Sequence, residues 1–207
     1  MNFKEEIIKF EKYNTSSNYI YNIGSACVLF TSVHDIRQYL DNGIIKESEP
    51  YTKAIALYLS KYSKSSYFIK TKDTGIDSNK DNHDEFKTKL LDLVKHNNIK
   101  LIIDLHGASI ERDFDVELGT LNNLSADNTT INELKEALMH NGINNINEND
   151  PFKGGAITQY LYGINDIEVI QLEINRRYRN IEDIEKLEKL CKSLIYFVNQ
   201  YDNCVNK

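Results

Sequence analysis

Apolar and polar positions along this chain switch period repeatedly, and the switches mark out alternating strands and helices. Residues 1–13 interleave Lys and Glu with Ile and Phe, which predicts an amphipathic helix rather than a signal peptide. Residues 26–31 form a short apolar run, the pattern of a buried strand. Residues 50–62 open on Pro50 and repeat apolar side chains at Ile55, Leu59 and Tyr62, which predicts a helix with proline at its first position. A strand is predicted over 66–70 and a loop over 71–82, where Gly75 sits among several Asp and Asn. Phe86, Leu90, Leu93 and Val94 share one face of a helix predicted over 83–97. The strongest strand signal is 99–105, nearly all apolar.

Beyond it come a β-like run at 114–118 and a helix at 131–140 ended by Asn141-Gly142. The Asn-rich stretch 141–149 reads as a solvent loop leading to Pro151 and Gly154-Gly155. A strand at 167–174 and a long amphipathic helix at 182–200 complete the pattern. Such alternation predicts an α/β fold in which a mostly parallel or mixed central sheet carries helices on both faces. With no internal repeat or low-complexity linker, residues 1–207 are expected to form one domain.

Composition narrows the function classes. No apolar run is long enough to cross a bilayer, so a cytoplasmic protein with no membrane partner is expected. Cys27, Cys191 and Cys204 are too few and too scattered for a disulfide framework or a metal knuckle. A net charge of −6 argues against general nucleic-acid binding, which needs a clustered basic surface. Only five of the 25 basic residues are Arg: Arg37, Arg112, Arg176, Arg177 and Arg179. All five fall near the polar strand ends described next, where a planar fork for carboxylates has a use that Lys does not match.

Ligands of open α/β sheets bind beyond the carboxyl ends of the strands. His34 follows the strand at 26–31, His106 closes the strand at 99–105, and Glu173 sits near the end of the strand at 167–174. Period-two alternation puts Asp104 on the same side as His106, where it could orient a ligating imidazole, although two residues so close in sequence are not expected to touch directly. Gly107 is read as a sharp turn that opens space for a ligand. One His at a strand end is more often a hydrogen-bonded structural residue. A carboxylate on an apolar strand is rarer, and two His with a Glu at separate strand ends favour a catalytic metal site. His83, His96 and His140 lie in polar helical contexts and read as surface residues.

These residues resemble the N-formylglutamate amidohydrolase family, relatives of the zinc carboxypeptidases and aspartoacylases. The matching segments are Val28-Leu29-Phe30-Thr31-Ser32-Val33-His34, Lys46-Glu47-Ser48-Glu49-Pro50-Tyr51-Thr52, Ile103-Asp104-Leu105-His106-Gly107-Ala108, Asp115-Val116-Glu117-Leu118-Gly119-Thr120 and Gln171-Leu172-Glu173-Ile174-Asn175-Arg176. They run in the family's order. The resemblance implies a zinc carboxypeptidase-like fold and a Zn2+ ion held by His34, His106 and a carboxylate. Arg37 stands where a His-x-x-Glu pair would put that carboxylate, so Glu49 is assigned, with Glu47 as the alternative.

The family's Pro-His-x-Gly is here Val33-His34-Asp35-Ile36, and the chain is shorter than typical members. Carried over, the pattern makes Glu173 the general base. Arg112 or Arg176 would stabilise the oxyanion or clamp a substrate carboxylate, and Arg37 is a further candidate substrate contact. Arg112 could equally pair with Glu111 or Asp113 at the surface. The implied reaction is hydrolysis of an N-formyl or N-acyl amino acid, or of a short peptide amide. The alternative is a metal-free binding module of the same fold. His34-Asp35 and His83-Asp84 also suggest a phosphohydrolase, but such pairs sit on helices, whereas His34 follows a strand. No Gly-x-Ser-x-Gly elbow supports serine hydrolysis.

Overall fold

The two longest strands, β6 (Leu101–Ala108) and β9 (Glu168–Asn175), are neighbours paired in parallel. The computed structural model describes residues 2–81, 84–164 and 166–205, with side chains through Asn203; His83 and the side chain of Cys204 lie outside the described residues. On one side of β6 lie β2 (Val28–Ser32) and β5 (Ser66–Lys70), both parallel to it in direction, then β1 (Tyr19–Asn22), which runs antiparallel at the edge. On the other side of β9, β7 (Val116–Gly119) pairs antiparallel and β8 (Ile146–Glu148) runs parallel to β7. The seven-stranded sheet is therefore mixed, with a parallel centre. A separate hairpin joins β3 (Gln38–Tyr39) to β4 (Ile45–Lys46).

Among the described residues, six α-helices cover the sheet. The first is α1 (Phe3–Glu11), opened by a capping box between Asn2 and Glu5. It is followed by α2 (Thr52–Ser63), α3 (Glu85–His96), α4 (Asn128–His140), α5 (Ala156–Leu161) and α6 (Ile184–Val205). None is long and apolar enough to cross a membrane among the described residues. Cys27 and Cys191 are buried free thiols.

The two faces of the sheet differ in a way that creates the site. On one, Val28 and Phe30, Leu101, Ile103 and Leu105, and Ile170, Leu172 and Ile174 pack under α1, α2, α4 and α6. On the other, Leu29, Ile102 and Val169 pack under α3 and α5. Two residues further along each of these strands the pattern turns polar, at Thr31, Asp104 and Gln171, and on β6 and β9 it continues with His106 and Glu173. The second helical layer covers only the apolar half. The polar half at the carboxyl ends is left for a cleft.

Two expectations need correction. The Asn-rich stretch is not all loop, because Ile146–Glu148 adds an edge strand to β7. Pro50 does not open its helix. Tyr51 takes a left-handed conformation at φ 72°, so the chain turns before the helix begins at Thr52.

Candidate active site

His34 leaves β2, Glu49 leaves β4 and His106 lies near the end of β6, and the three buried side chains converge. One ligand atom from each lies within 4.8 Å of the others. Glu49 bridges the imidazoles. Its Oε1 is 3.1 Å from His34 Nδ1 and its Oε2 is 3.3 Å from His106 Nδ1. The backbone fixes this carboxylate as well. Glu49 N–H donates to His34 O at 2.6 Å, Thr52 Oγ1 donates to Glu49 O at 3.0 Å, and Gly107 N–H donates to Glu49 Oε2 at 2.8 Å.

The outer nitrogens are held by two further acids. His106 Nε2 is 2.9 Å from Asp104 Oδ2, so the two residues that seemed too close in sequence to meet do touch. Thr31 Oγ1 donates to the other oxygen of Asp104 at 2.5 Å from the adjacent strand. His34 Nε2 is 2.7 Å from Asp77 Oδ1. Asp77 lies in the 71–82 loop and was not singled out by sequence. Lys70, fully buried at the end of β5, positions it by donating to Ile76 O at 2.6 Å and Ser78 Oγ at 3.2 Å, one on each side of Asp77. Both imidazoles thus turn Nδ1 inward and keep Nε2 on a carboxylate, the arrangement that fixes tautomer and ring orientation in metal sites.

Sheet register extends the constellation. His106 on β6 stands opposite Glu173 on β9, and Glu173 stands opposite Glu117 on β7. Gln171 Nε2 donates to Glu173 Oε1 at 2.7 Å. Glu117, also unassigned by sequence, accepts from Phe152 N–H at 2.6 Å and so ties down the segment forming one cleft wall.

The electrostatics follow from burial and charge. Burial pushes the Glu49 carboxyl up, but hydrogen bonds from His106 and His34 outweigh it and hold the group well below the usual carboxylate range. Asp77 is likewise held low, burial being overcome by His34. Burial lowers His106, yet the charge and hydrogen bond of Asp104, with Glu49, lift it well above an ordinary histidine. Glu173 is raised by burial and by Glu49, with His106 opposing.

The arginines separate. Arg179 is buried and donates to Ile174 O at 3.1 Å, Pro50 O at 3.0 Å and Ala108 O at 3.0 Å. These carbonyls follow closely on Glu173, Glu49 and His106, so one guanidinium ties together three segments of the site. It lies against Gly107, where a Cβ would collide with it. Gly107 therefore stays within β6 and does not form the expected turn, and its small size serves this close approach. Arg112 and Arg176 line the cleft. Arg112 packs over Phe152 at 5.1 Å and forms no pair with Glu111 or Asp113. Arg37 is exposed, bonded to Glu47 at 2.8 and 3.1 Å, and lines neither cavity of the cleft. His96 and His140 are exposed. Asp84 caps α3 by accepting from Phe86 N–H, a structural task that removes support from the His-Asp phosphohydrolase reading.

Fold and cluster together define a carboxypeptidase-like α/β architecture with a candidate metal site at the carboxyl ends of the parallel strands. The family model that matches is N-formylglutamate amidohydrolase, over residues 80–178. That span holds His106, Glu117 and Glu173, while His34 and Glu49 precede it. The crystal structure of N-formylglutamate amidohydrolase from Ralstonia eutropha is similar at a TM-score of 0.72 and 13% identity, over 90% of this chain and 98% of the other. A bacteriophage poly-gamma-glutamate hydrolase matches at a TM-score of 0.60 and 12% identity, over 91% and 92% of the two chains. A metallo-carboxypeptidase from Burkholderia cenocepacia matches at 0.54 and 11%, over 88% of this chain and 61% of that one. No curated protein matches the sequence. The chain thus resembles the N-formylglutamate amidohydrolase family in sequence over 80–178 and in fold over nearly its whole length.

Proposed function

We propose that the protein is a zinc-dependent amidohydrolase acting on an N-formyl or N-acyl amino acid or a short peptide amide. The observation that carries this reading is the convergence of His34, Glu49 and His106 with Glu173 in register beside His106. The donor set fits zinc: two imidazole nitrogens and a carboxylate oxygen, three protein ligands, as hydrolytic sites use. When bound, zinc supplies Lewis acidity toward water and a carbonyl oxygen.

The chain's own residues do the rest. Asp77 and Asp104 hold the imidazoles in the tautomer that leaves Nδ1 free to ligate. Glu173, whose carboxyl burial raises above its ordinary range, accepts a proton from the attacking water and returns it to the leaving amine. Its free oxygen is available for this because Gln171 occupies Oε1. Arg112 or Arg176 receives a substrate carboxylate or the developing oxyanion. The family match, and neighbours named as an amidohydrolase, a poly-gamma-glutamate hydrolase and a metallo-carboxypeptidase, support hydrolysis at a C–N bond.

The test is turnover by zinc-loaded protein against N-formyl amino acids, N-acetyl amino acids and short peptides. Chelation should abolish activity. Glu173→Gln should keep the metal and lose about 10²–10⁴-fold in kcat, because Gln matches the shape of Glu but cannot take the proton. Turnover that survives chelation would overturn the metal mechanism. Full activity in Glu173→Gln would show that another group is the base, and loss of zinc with activity would make Glu173 a ligand.

A further inference from the structure

The sheet ends differently on its two sides. At one edge β8 carries Glu148, which is paired with Lys135, and Pro151 follows three residues later. Charge and proline are the usual devices that keep an edge strand from pairing with another chain. At the other edge β1 has neither. Residues 13–33 contain no Asp, Glu, Lys, Arg or Pro, in a chain that is 27% charged. Tyr21 on this edge is 61% exposed.

The main chain of β1 is only half used. Its register on β5 sets Tyr19 opposite Lys70 and Tyr21 opposite Phe68. Thr71 N–H donates to Asn18 O at 2.9 Å, one position earlier in the same register. Hydrogen-bonded and non-hydrogen-bonded positions alternate in an antiparallel pair, so Ile20 and Asn22 also turn their main chain toward β5, and Tyr19 and Tyr21 turn theirs outward. Among the described residues, neither tyrosine makes a main-chain hydrogen bond beyond the β1–β5 ladder. The edge therefore presents two N–H and two C=O groups, from positions two residues apart.

A copy of the same strand matches them. With two β1 strands antiparallel across a two-fold axis at Ile20, Tyr19 of each copy stands opposite Tyr21 of the other. Each such pair exchanges two hydrogen bonds, and every outward group of both strands is used. A shift by one residue sets outward groups against inward ones, and a shift by two loses one of the Tyr–Tyr rungs. Side chains agree with this register. Tyr19 and Tyr21 share a face, beside a cavity of about 480 Å³ that Phe68, Lys89 and Leu93 also line. Lys89 Nζ lies over the Tyr19 ring at 5.0 Å. Tyr21 of the second copy comes to Tyr19 at this wall, which offers an apolar surface to its ring and charge to its hydroxyl. The acids nearby are engaged, Glu85 by Lys89 at 3.0 Å and Asp92 by His96 at 3.2 Å. Two chains that each carry −6 thus meet along an uncharged strand.

We propose that β1 is a self-pairing edge, through which two copies of the chain join their sheets into one. The two-fold axis uses up the edge, so association stops at the dimer. A pairing of four-residue strands is small for an interface, so the dimer is reversible and forms in the micromolar range.

Sedimentation velocity across the micromolar range tests this. The natural protein should pass from monomer to dimer as concentration rises, with no larger species. Tyr21→Pro removes an N–H that faces outward and spares the β5 ladder, and should weaken the dimer at least about tenfold. Tyr21→Lys should weaken it comparably by placing an ammonium near Lys89, and serves as the second variant where proline disturbs the strand. Tyr162→Lys removes an aromatic side chain that is 47% exposed elsewhere, and should dimerise as the natural protein does. Under oxidation Ile20→Cys should cross-link to its own copy above the background of the natural thiols, since residues paired across the axis lie within disulfide reach. Tyr19→Cys, two positions away from its own copy, should not. A monomer throughout the high micromolar range overturns the proposal. Association that neither Tyr21 variant weakens, assembly beyond the dimer, or cross-linking at residue 19 as readily as at residue 20 overturns it equally.

Discussion

Asp77 meets His34 across 43 residues of chain, Oδ1 to Nε2 at 2.7 Å, and so matches from a loop what Asp104 does for His106 from a strand. Each acid sets the tautomer of one imidazole. Asp77→Asn and Asp104→Asn should each weaken zinc about 10–100-fold while leaving the fold intact, measured by competition with a chelator of known affinity. Unchanged affinity in both would mean that the imidazoles are oriented by other contacts. Lys70→Met should weaken zinc in the same direction, since it frees the loop on both sides of Asp77.

Sequence patterning found the strands that carry His106 and Glu173 because a buried carboxylate or imidazole stands out against Ile, Leu and Val. The same signal failed for Asp77. It sits in a run already rich in Asp and Asn, and its importance arises only where the loop folds back on His34. Glu117 was hidden for a different reason: its strand is short and its partner, Phe152 N–H, comes from a distant segment. Ile146–Glu148 is half-exposed on both faces, so it lacks the alternation that marks a strand. Pro50 preceded a strongly helical pattern, and nothing local announced the left-handed Tyr51 between them. Among the arginines, composition marked all five alike. Only the packing separates buried Arg179, exposed Arg37 and the two cleft residues.

Arg179 is expected to be the arginine most important for stability. Arg179→Met removes three hydrogen bonds from one buried guanidinium and should cost on the order of 3 kcal/mol in urea unfolding. Arg177→Met, a half-exposed neighbour on the same turn, should cost less than about 1 kcal/mol. Equal losses would remove the special place given to Arg179.

Glu11 gives the stability a pH dependence. Burial first, and then the charge of Asp35, push its carboxyl up to about 7 from an ordinary 4.5. The unfolded chain therefore releases this proton at lower pH than the folded one does. Its contribution to stability is fully present below pH 4.5 and is lost as the pH rises to about 7. Glu11→Gln cannot ionise and keeps an acceptor for Tyr51 N–H. The variant should match the natural protein at low pH and exceed it by roughly 1–3 kcal/mol above neutrality. Thermal unfolding measured from pH 4 to 8, with metal removed, would refute this if the variant's advantage were constant or shrank with rising pH.

Glu49 and Glu47 are separated by one residue but by very different surroundings: one is buried between two imidazoles, the other is exposed on Arg37. Glu49→Gln should lose most of the zinc affinity and Glu47→Gln almost none, read by the metal content of dialysed protein. The reverse result would exchange their roles.

Diffraction from a zinc-soaked crystal, collected at the zinc absorption edge, tests the central claim most directly. The account predicts one strong anomalous peak bonded to Nδ1 of His34, Nδ1 of His106 and the carboxylate of Glu49, with Glu173 beside it and not bonded to the metal. No peak at this cluster at saturating zinc, or a peak held by other residues, would contradict it.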